Sequence, residues 1–277
     1  MTTDRMAIVG GGHLGVALAR GWIAAGVIRP DELTVTRRTA GGLDSLARQG
    51  VAVGTDNAAA VRGAGAVALC VRPEQLDDAL ESLRDELDPK RHVLMSTVSG
   101  VSIAYIASRV GDELPVVRAM PNIAVACGES MTCLAASPAA AGAALALAEK
   151  LFGALGLTMR VREEEITPAT ALCACGVAFF LRAIRAAAQG GVQVGFHAED
   201  AVRLAAQTAR GAASLLLDGD VRHPETVIDS VTTPLGVTIA GLNEMEHHGF
   251  SSAMIRGIVV AAQKASALLP DAAPTAR

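Results

Sequence analysis

Three glycines near the N-terminus have the spacing of a phosphate-binding turn. Gly10, Gly12 and Gly15 fit G-x-G-x-x-G, between an apolar run at Met6–Val9 and a helical run that begins at Leu14. In such a turn the first glycine permits a tight bend, the second lets the backbone approach a pyrophosphate, and the third lets the helix pack on the strand. The helix N-terminus offers free N–H groups to the phosphates. A turn without a ligand is the alternative, but the strand-to-helix position favours a nucleotide site.

Two arginines, Arg37 and Arg38, follow the next β-branched run, Glu32–Thr36. In a dinucleotide-binding fold this position meets the adenosine ribose, where an acidic residue binds the 2′-hydroxyl of NAD and an arginine accommodates the 2′-phosphate of NADP. Guanidinium groups pair with phosphate through two hydrogen bonds. A solvated loop with ordinary charges is the alternative. The two arginines therefore favour NADP(H) over NAD(H).

The elements that position these residues follow an α/β pattern. From Met6 to Arg162, short apolar and β-branched runs alternate with helical runs, which predicts a Rossmann-type, doubly wound parallel sheet. The predicted strands are Met6–Val9, Glu32–Thr36, Val51–Val53, Ala66–Val71, His92–Ser96, Pro115–Arg118, Ser130–Ala136 and Thr158–Arg162.

Ligands of such sheets bind beyond the carboxyl ends of the strands. We therefore expect the cofactor to contact the residues that follow these ends. They are Gly10, Gly12, His13, Leu14, Gly15, Arg37, Arg38, Val71, Arg72, Pro73, Thr97, Met120, Pro121 and Asn122.

Beyond Glu165 the pattern is helical, with no convincing strand. This change predicts a dinucleotide-binding domain at residues 1–163 and an all-α domain at residues 164–277. Helices rich in alanine with long apolar faces predict a homodimer formed through this C-terminal domain, and a larger assembly stays open. The predicted helices are Ile166–Gln189, Ala198–Asp218, Pro224–Ser230, Thr238–His247 and Phe250–Leu269.

Composition excludes several other classes of protein. The net charge of −4 is mixed in sign, with no basic stripe for nucleic acid. Five cysteines, an odd number without zinc spacing, predict small buried thiols rather than disulfides or a metal site. The apolar stretches, such as Ala169–Leu181, look too short or too interrupted to span a bilayer, and the polar N-terminus predicts no signal peptide. We therefore expect a cytoplasmic protein without a membrane or nucleic-acid partner.

Several segments, in the same order, resemble the pyrroline-5-carboxylate reductase family over almost the whole chain. Matches in a fixed order are more specific than any single motif. The segments are Cys70–Pro73 for A-V-K-P, Arg118–Asn122 for R-A-M-P-N, Leu204–Thr208 with Gly211 for L-A-x-Q-T-x-x-G, and Thr238–Leu242 with Glu246 and Gly249 for T-I-x-x-L and its trailing E-x-x-G.

The resemblance implies reduction of 1-pyrroline-5-carboxylate, a cyclic imine acid, to L-proline with NAD(P)H. It also implies a Rossmann domain, a helical domain and intertwined dimers. By the same resemblance, the Thr233 hydroxyl and the N–H groups of Gly236 and Val237 bind the substrate carboxylate. The Thr238 hydroxyl faces the ring nitrogen and makes Thr238 the candidate catalytic residue. A role of Thr238 as an ordinary helix N-cap is the alternative.

Three departures from the family pattern carry information. His13 stands in the glycine turn, where the family usually has asparagine. Cys173 and Cys175 replace the serines of S-G-S-G-P-A-Y, and Leu235 replaces a glycine of the substrate loop. A leucine disfavours a positive φ and crowds the substrate.

Other functions therefore stay open. One is the reduction of another cyclic imine, such as a piperideine or pyrroline carboxylate or a biosynthetic intermediate. A second is a non-catalytic NADP-binding regulatory protein. A third is a dehydrogenase acting on hydroxy acids or alcohols, which would need a His, Lys or Asp acid/base beside the carbonyl.

Overall fold

The computed structural model describes residues 5–39, 41–217 and 223–267, and these form two compact units. The first unit runs to Cys175 and includes the end of the last helix from Ala261, and the second is Gly176–Val260. The domain boundary after residue 163 stays a prediction. The helix ends predicted at Asp218 and Leu269 lie outside the described residues.

The first unit is built on one sheet of eight strands in the order β3-β2-β1-β4-β5-β6-β7-β8. Each strand lies close to its predicted place. The strands are β1 Met6–Val9, β2 Leu33–Thr36, β3 Ala52–Gly54, β4 Ala66–Leu69, β5 Val93–Ser96, β6 Val116–Met120, β7 Ser130–Ala136 and β8 Gly156–Arg160.

The sheet is parallel except where β7 runs antiparallel to β6. This differs from the predicted all-parallel sheet. The connecting segment, residues 121–129, is shorter than the dozen or so residues that a parallel crossover needs, so the chain reverses there.

Two apolar clusters cover the two faces of the sheet in the first unit. Because side chains alternate along a strand, Met6 and Ile8 join one cluster and Ala7 and Val9 the other. The helices that begin in this unit are α1 His13–Ala24, α2 Asp44–Ala47, α3 Asn57–Arg62, α4 Leu76–Leu83, α5 Ile103–Val110, α6 Ala143–Gly153 and α7 Ile166–Ala169.

Trp22 joins α1 to α6 on the first face of the sheet. Its indole N–H donates to the Leu151 carbonyl at 2.8 Å, and its ring meets Phe152 edge-on with centroids 5.6 Å apart. A buried indole with its N–H satisfied packs well. The pair fixes α1, and with it the glycine turn that precedes α1.

The second unit is helical in the residues described. Its helices are α8 Gly176–Gln193, α9 Ala198–Leu217, α10 Pro224–Ser230, α11 Val237–His247 and α12 Phe250–Ser266, the last of which ends in the first unit. Large apolar side chains such as Phe180, Leu204 and Leu215 are exposed on α8 and α9.

One helical stretch, Glu163–Gln193, is long and apolar enough to cross a membrane by length and composition alone. The expectation that the apolar segment Ala169–Leu181 is too short is therefore wrong. The helical stretch continues beyond both ends of that segment, from Glu163 to Gln193.

Candidate active site

The glycine turn after β1 has the geometry that the sequence predicts. Gly10 has a φ of +110°, and a Cβ there would lie 2.6 Å from the Cys70 carbonyl carbon. The N–H groups of Gly10 and Gly11 donate to the Thr36 carbonyl. A Cβ on Gly15 would collide with the Gly10 carbonyl oxygen, whereas a Cβ on Gly12 would meet nothing within 4 Å. The first and third glycines are thus required by the fold, and the second leaves its backbone open to a ligand.

This difference separates the folding role of the turn from its binding role. We expect Gly12→Ala to fold normally but to lose NADPH affinity by at least about 10-fold, because the added methyl occupies the space that a pyrophosphate needs. Gly15→Ala should instead lower the thermal stability. Fluorescence titration with NADPH and thermal unfolding measure the two effects. Unchanged NADPH binding by Gly12→Ala would contradict a phosphate site at this turn.

A cleft of about 730 Å³ opens at the carboxyl ends of the strands, above the glycine turn. It brings together most of the predicted cofactor residues. Those lining it are Gly10, Gly12, His13, Leu14, Arg37, Arg38, Val71, Arg72, Pro73 and Thr97.

Four predicted residues do not line this cleft. Gly15 lies buried beneath the turn, and Met120 packs in a separate apolar cluster with Cys133 and Ile166. Pro121 and Asn122 are also buried. The Asn122 side chain caps the turn at Ala124 and donates to the Cys173 carbonyl at 3.3 Å. In this structure the segment packs at the end of β6 rather than in the cleft wall.

Asn57 and Ser82 also line the cleft, although they are absent from the predicted set. The Thr36 hydroxyl donates to Asn57 Oδ1 at 2.6 Å, and Asn57 Nδ2 donates to Ser82 Oγ at 3.0 Å. Asn57 follows the carboxyl end of β3, so the rule used for the other strands could have found it. Ser82 lies inside α4 and carries no such signal.

The two arginines after β2 differ in their contacts. Arg37 Nη1 donates to the Gly41 carbonyl at 3.0 Å, so part of this guanidinium is committed to its own loop. Among the described residues, Arg38 has no hydrogen-bond or ion-pair partner, and its side chain is exposed at the cleft. Arg38 is therefore the freer of the two cations.

An ion pair between a buried arginine and a partly exposed glutamate joins β6 to the segment that leads into α7. Arg118 is 3% exposed, and its Nη1 donates to Glu163 Oε1 at 3.1 Å. The same oxygen accepts from the Ile103 N–H at the start of α5. Loss of hydration lowers the Arg118 pKa, and Glu163 opposes this shift. Within the described part of the chain, Arg118 Nη2 has no partner, so Glu163 is its main electrostatic support.

The predicted substrate loop lies in the second unit, immediately before α11. Gly236 is the N-cap and α11 begins at Val237, so Thr238 is the second helical residue. The interpretation of Thr238 as an N-cap is therefore wrong. Its side chain is exposed and has no hydrogen-bond partner among the described residues, which leaves the hydroxyl available to a ligand.

Leu235 occupies the left-handed region, with a φ of +58°, and its side chain is fully exposed. This is the backbone conformation that a glycine adopts freely and that costs a leucine about 1–2 kcal/mol. The sequence predicted that leucine would disfavour this conformation. The loop nevertheless adopts it, and the leucine side chain projects from the loop before α11.

The histidines, possible metal ligands and cysteines are the other candidate functional groups. His247 and His248 lie exposed at the end of α11, and His248 contacts Glu244. Within residues 5–39, 41–217 and 223–267, no three His, Cys, Asp or Glu side chains are grouped to bind a metal. Cys127 is exposed and Cys70, Cys173 and Cys175 are only partly buried, so the prediction of small buried thiols is confirmed for Cys133 alone.

Comparison with known proteins agrees with this architecture. Residues 163–268 match the model of the pyrroline-5-carboxylate reductase dimerisation domain, and residues 5–100 match the coenzyme F420-dependent NADP oxidoreductase model. The chain is 45% identical to pyrroline-5-carboxylate reductase 2 of Dictyostelium discoideum over 94% of this chain and 92% of that protein. The chain belongs to the pyrroline-5-carboxylate reductase family.

Two further relatives extend the comparison. Pyrroline-5-carboxylate reductase 1 of Dictyostelium discoideum is 50% identical over 95% of this chain, which spans about half (49%) of that longer protein. The structure of pyrroline carboxylate reductase from Plasmodium falciparum with NADP bound superposes with a TM-score of 0.87, at 22% identity, over 96% of this chain and 98% of that one.

Family membership confirms the predicted resemblance, the fold class and the assignment as an NAD(P)H-dependent oxidoreductase. The exposed apolar helices of the second unit fall within the matched dimerisation domain. Their exposure is therefore explained by a second chain in the family's dimer.

Proposed function

We propose that this chain is a cytoplasmic homodimer that reduces 1-pyrroline-5-carboxylate to L-proline and prefers NADPH to NADH. Family membership with extensive coverage is the observation that carries the proposal. The residues of the cleft fit a dinucleotide, because the Gly12 backbone is open and cations flank the ribose end. When bound, NADPH supplies the hydride that the imine carbon accepts.

The chain's own task is to bind and orient the imine. A cyclic imine is largely protonated near neutral pH, so no strong general acid is required. The Thr233 hydroxyl and the N–H groups of Gly236 and Val237, at the positive end of α11, bind the carboxylate. The Thr238 hydroxyl hydrogen-bonds to the ring nitrogen and positions the C=N bond for attack.

The α11 geometry supports this assignment. A Cβ on Gly236 would lie 2.5 Å from Thr233 Oγ1, so the loop needs glycine there to keep Thr233 in place. The Gly236 N–H donates to the Thr233 carbonyl at 2.9 Å. The Gly236 N–H must therefore share or exchange this bond to reach a carboxylate. The Val237 N–H belongs to the first residue of α11.

A substrate panel tests the reaction. With NADPH, pyrroline-5-carboxylate should be reduced with a higher kcat/KM than pyrroline-2-carboxylate or the piperideine carboxylates. Preference for a six-membered ring would instead assign the chain to another cyclic imine, for which exposed Leu235 is the relevant departure from the family pattern. NADPH binding without oxidation on any imine would indicate the regulatory alternative.

The cofactor preference has its own test. We expect the double variant Arg37→Ala and Arg38→Ala to lose NADPH affinity by at least about 10-fold and to bind NADH unchanged, because only NADPH carries the 2′-phosphate. Arg20→Ala is the matched control, since Arg20 contacts Ser45 and does not line the cleft. Equal affinities of the unsubstituted protein for the two cofactors would overturn the preference.

The dimer accounts for an apolar groove in the second unit. The groove has a volume of about 1080 Å³, and its walls include Phe180, Ile184, Leu204, Met245 and Phe250. Burial of these apolar side chains by a second chain removes them from water and stabilises the dimer. A second chain at this surface also explains why an apolar helix such as α8 need not enter a membrane.

A further inference from the structure

We propose that Cys133 and Cys173 form an oxidative modification site, a thiol pair that a peroxide converts reversibly into an intrachain disulfide. The pair lies within the first unit, outside the cofactor cleft and the substrate loop.

Packing places the two cysteines together. Cys133 lies in β7 opposite Met120 of β6, in an apolar cluster that also contains Ile166. Cys173 packs against this cluster from the stretch Thr170–Ala174, which is wound as a π-helix. The Asn122 amide donates to the Cys173 carbonyl and fixes this stretch beside the end of β6. Cys133 and Cys173 therefore share one apolar cluster, although they lie far apart along the chain.

The two thiols have different environments. Cys133 is 4% exposed, whereas Cys173 is only partly buried and can be reached by a small oxidant. A hydrogen bond from the Cys133 thiol lowers the Cys173 pKa to about 7, although burial opposes this shift. The same hydrogen bond raises the Cys133 pKa, and burial adds to that rise. Ionised Glu165 adds to the rise at Cys133. Cys173 is therefore the nucleophile and Cys133 the resolving thiol.

The chemistry balances with hydrogen peroxide as the oxidant. The Cys173 thiolate attacks one peroxide oxygen, the O–O bond breaks, and the released hydroxide takes a proton to become water. The Cys133 sulfur then attacks the resulting Cys173 sulfenic acid, the S–S bond forms, and its proton leaves with the hydroxyl as a second water. Two thiols lose two electrons in total, and one peroxide gains them. A dithiol reductant restores both thiols.

This property does not follow from the family pattern. Cys173 stands where the S-G-S-G-P-A-Y pattern has serine, and a serine cannot form a disulfide. The neighbouring Cys175 and the exposed Cys127 are not in the cluster with Cys133. The pair is therefore specific to the residues that this chain brings together.

The test treats the reduced, full-length protein with hydrogen peroxide and identifies linked peptides by mass spectrometry without reduction. We expect two of the five thiols to disappear, a Cys133–Cys173 peptide to form, and dithiothreitol to reverse both changes. The rate should rise with pH and be half-maximal near pH 7, because the thiolate is the reacting form.

Two variants and a control make the assignment specific. Cys173→Ser restores the family residue and Cys133→Ala leaves a small apolar side chain, and both should lose the intrachain disulfide. Cys127→Ser should retain it, because Cys127 lies outside the pair. An intrachain bond between other cysteines, oxidation of Cys173 without a bond to Cys133, or no oxidation of the pair would each overturn the proposal.

Discussion

Thr238→Ala is expected to lower kcat for imine reduction by about 10- to 100-fold while NADPH affinity stays unchanged. A hydrogen bond to a charged group contributes about 1.5–3 kcal/mol, and its loss raises the barrier by that amount. In the structure the Thr238 hydroxyl is exposed and lies one residue inside α11, whose N-cap is Gly236. The hydroxyl is thus available to the substrate rather than used by the helix.

Steady-state kinetics and NADPH titration separate the two effects. Thr238→Ser should recover most of the rate, because it keeps the hydroxyl. Thr232→Ala is the matched control, since the Thr232 hydroxyl donates to the Ile228 carbonyl at 2.7 Å and precedes the substrate loop. An unaffected rate in Thr238→Ala would leave Thr238 without a role in the reaction.

Glu163→Ala is expected to destabilise the protein by about 3 kcal/mol, the largest stability effect that we expect of a single substitution. Removing the partner of a buried charge leaves that charge uncompensated. In the Glu163→Ala variant the Arg118 side chain, which is 4% exposed, would keep its charge without a partner. The Ile103 N–H would also lose its acceptor.

Substitution of Arg118 should lower the stability less than substitution of Glu163. Glu163 is 34% exposed and can be rehydrated, so Arg118→Met should cost only about 1 kcal/mol. The double variant should then resemble Arg118→Met, because the buried cation is gone. Chemical denaturation of the unsubstituted protein, the two single variants and the double variant measures the coupling energy between Glu163 and Arg118. Additive effects of the two substitutions would contradict the role of Glu163 as the partner of Arg118.

Glu86→Gln provides the matched control for an exposed pair. Glu86 accepts two hydrogen bonds from Arg62, whose side chain is 64% exposed, so this pair holds no buried cation. The Arg62 guanidinium lowers the Glu86 pKa, but water screens the interaction. We therefore expect little change in stability from this substitution.

Short windows of sequence determined much of the fold. The glycine spacing from Gly10 to Gly15, the β-branched runs and the helical C-terminal pattern each depend on neighbours within one turn or one strand. Such local preferences survive in the folded chain because packing reinforces them. Four ordered matches to the family pattern then identified the reaction class, which spacing alone could not.

The tertiary structure decided what depends on contacts between distant residues. It reversed β7 against β6, placed Asn57 and Ser82 on the cleft and put Leu235 in the left-handed region. It also brought Cys133 to Cys173 and Glu163 to Arg118, pairs about 40 and 45 residues apart along the chain. A sequence pattern records the preferences of neighbours, but which remote side chains meet is set only when the sheet and helices pack.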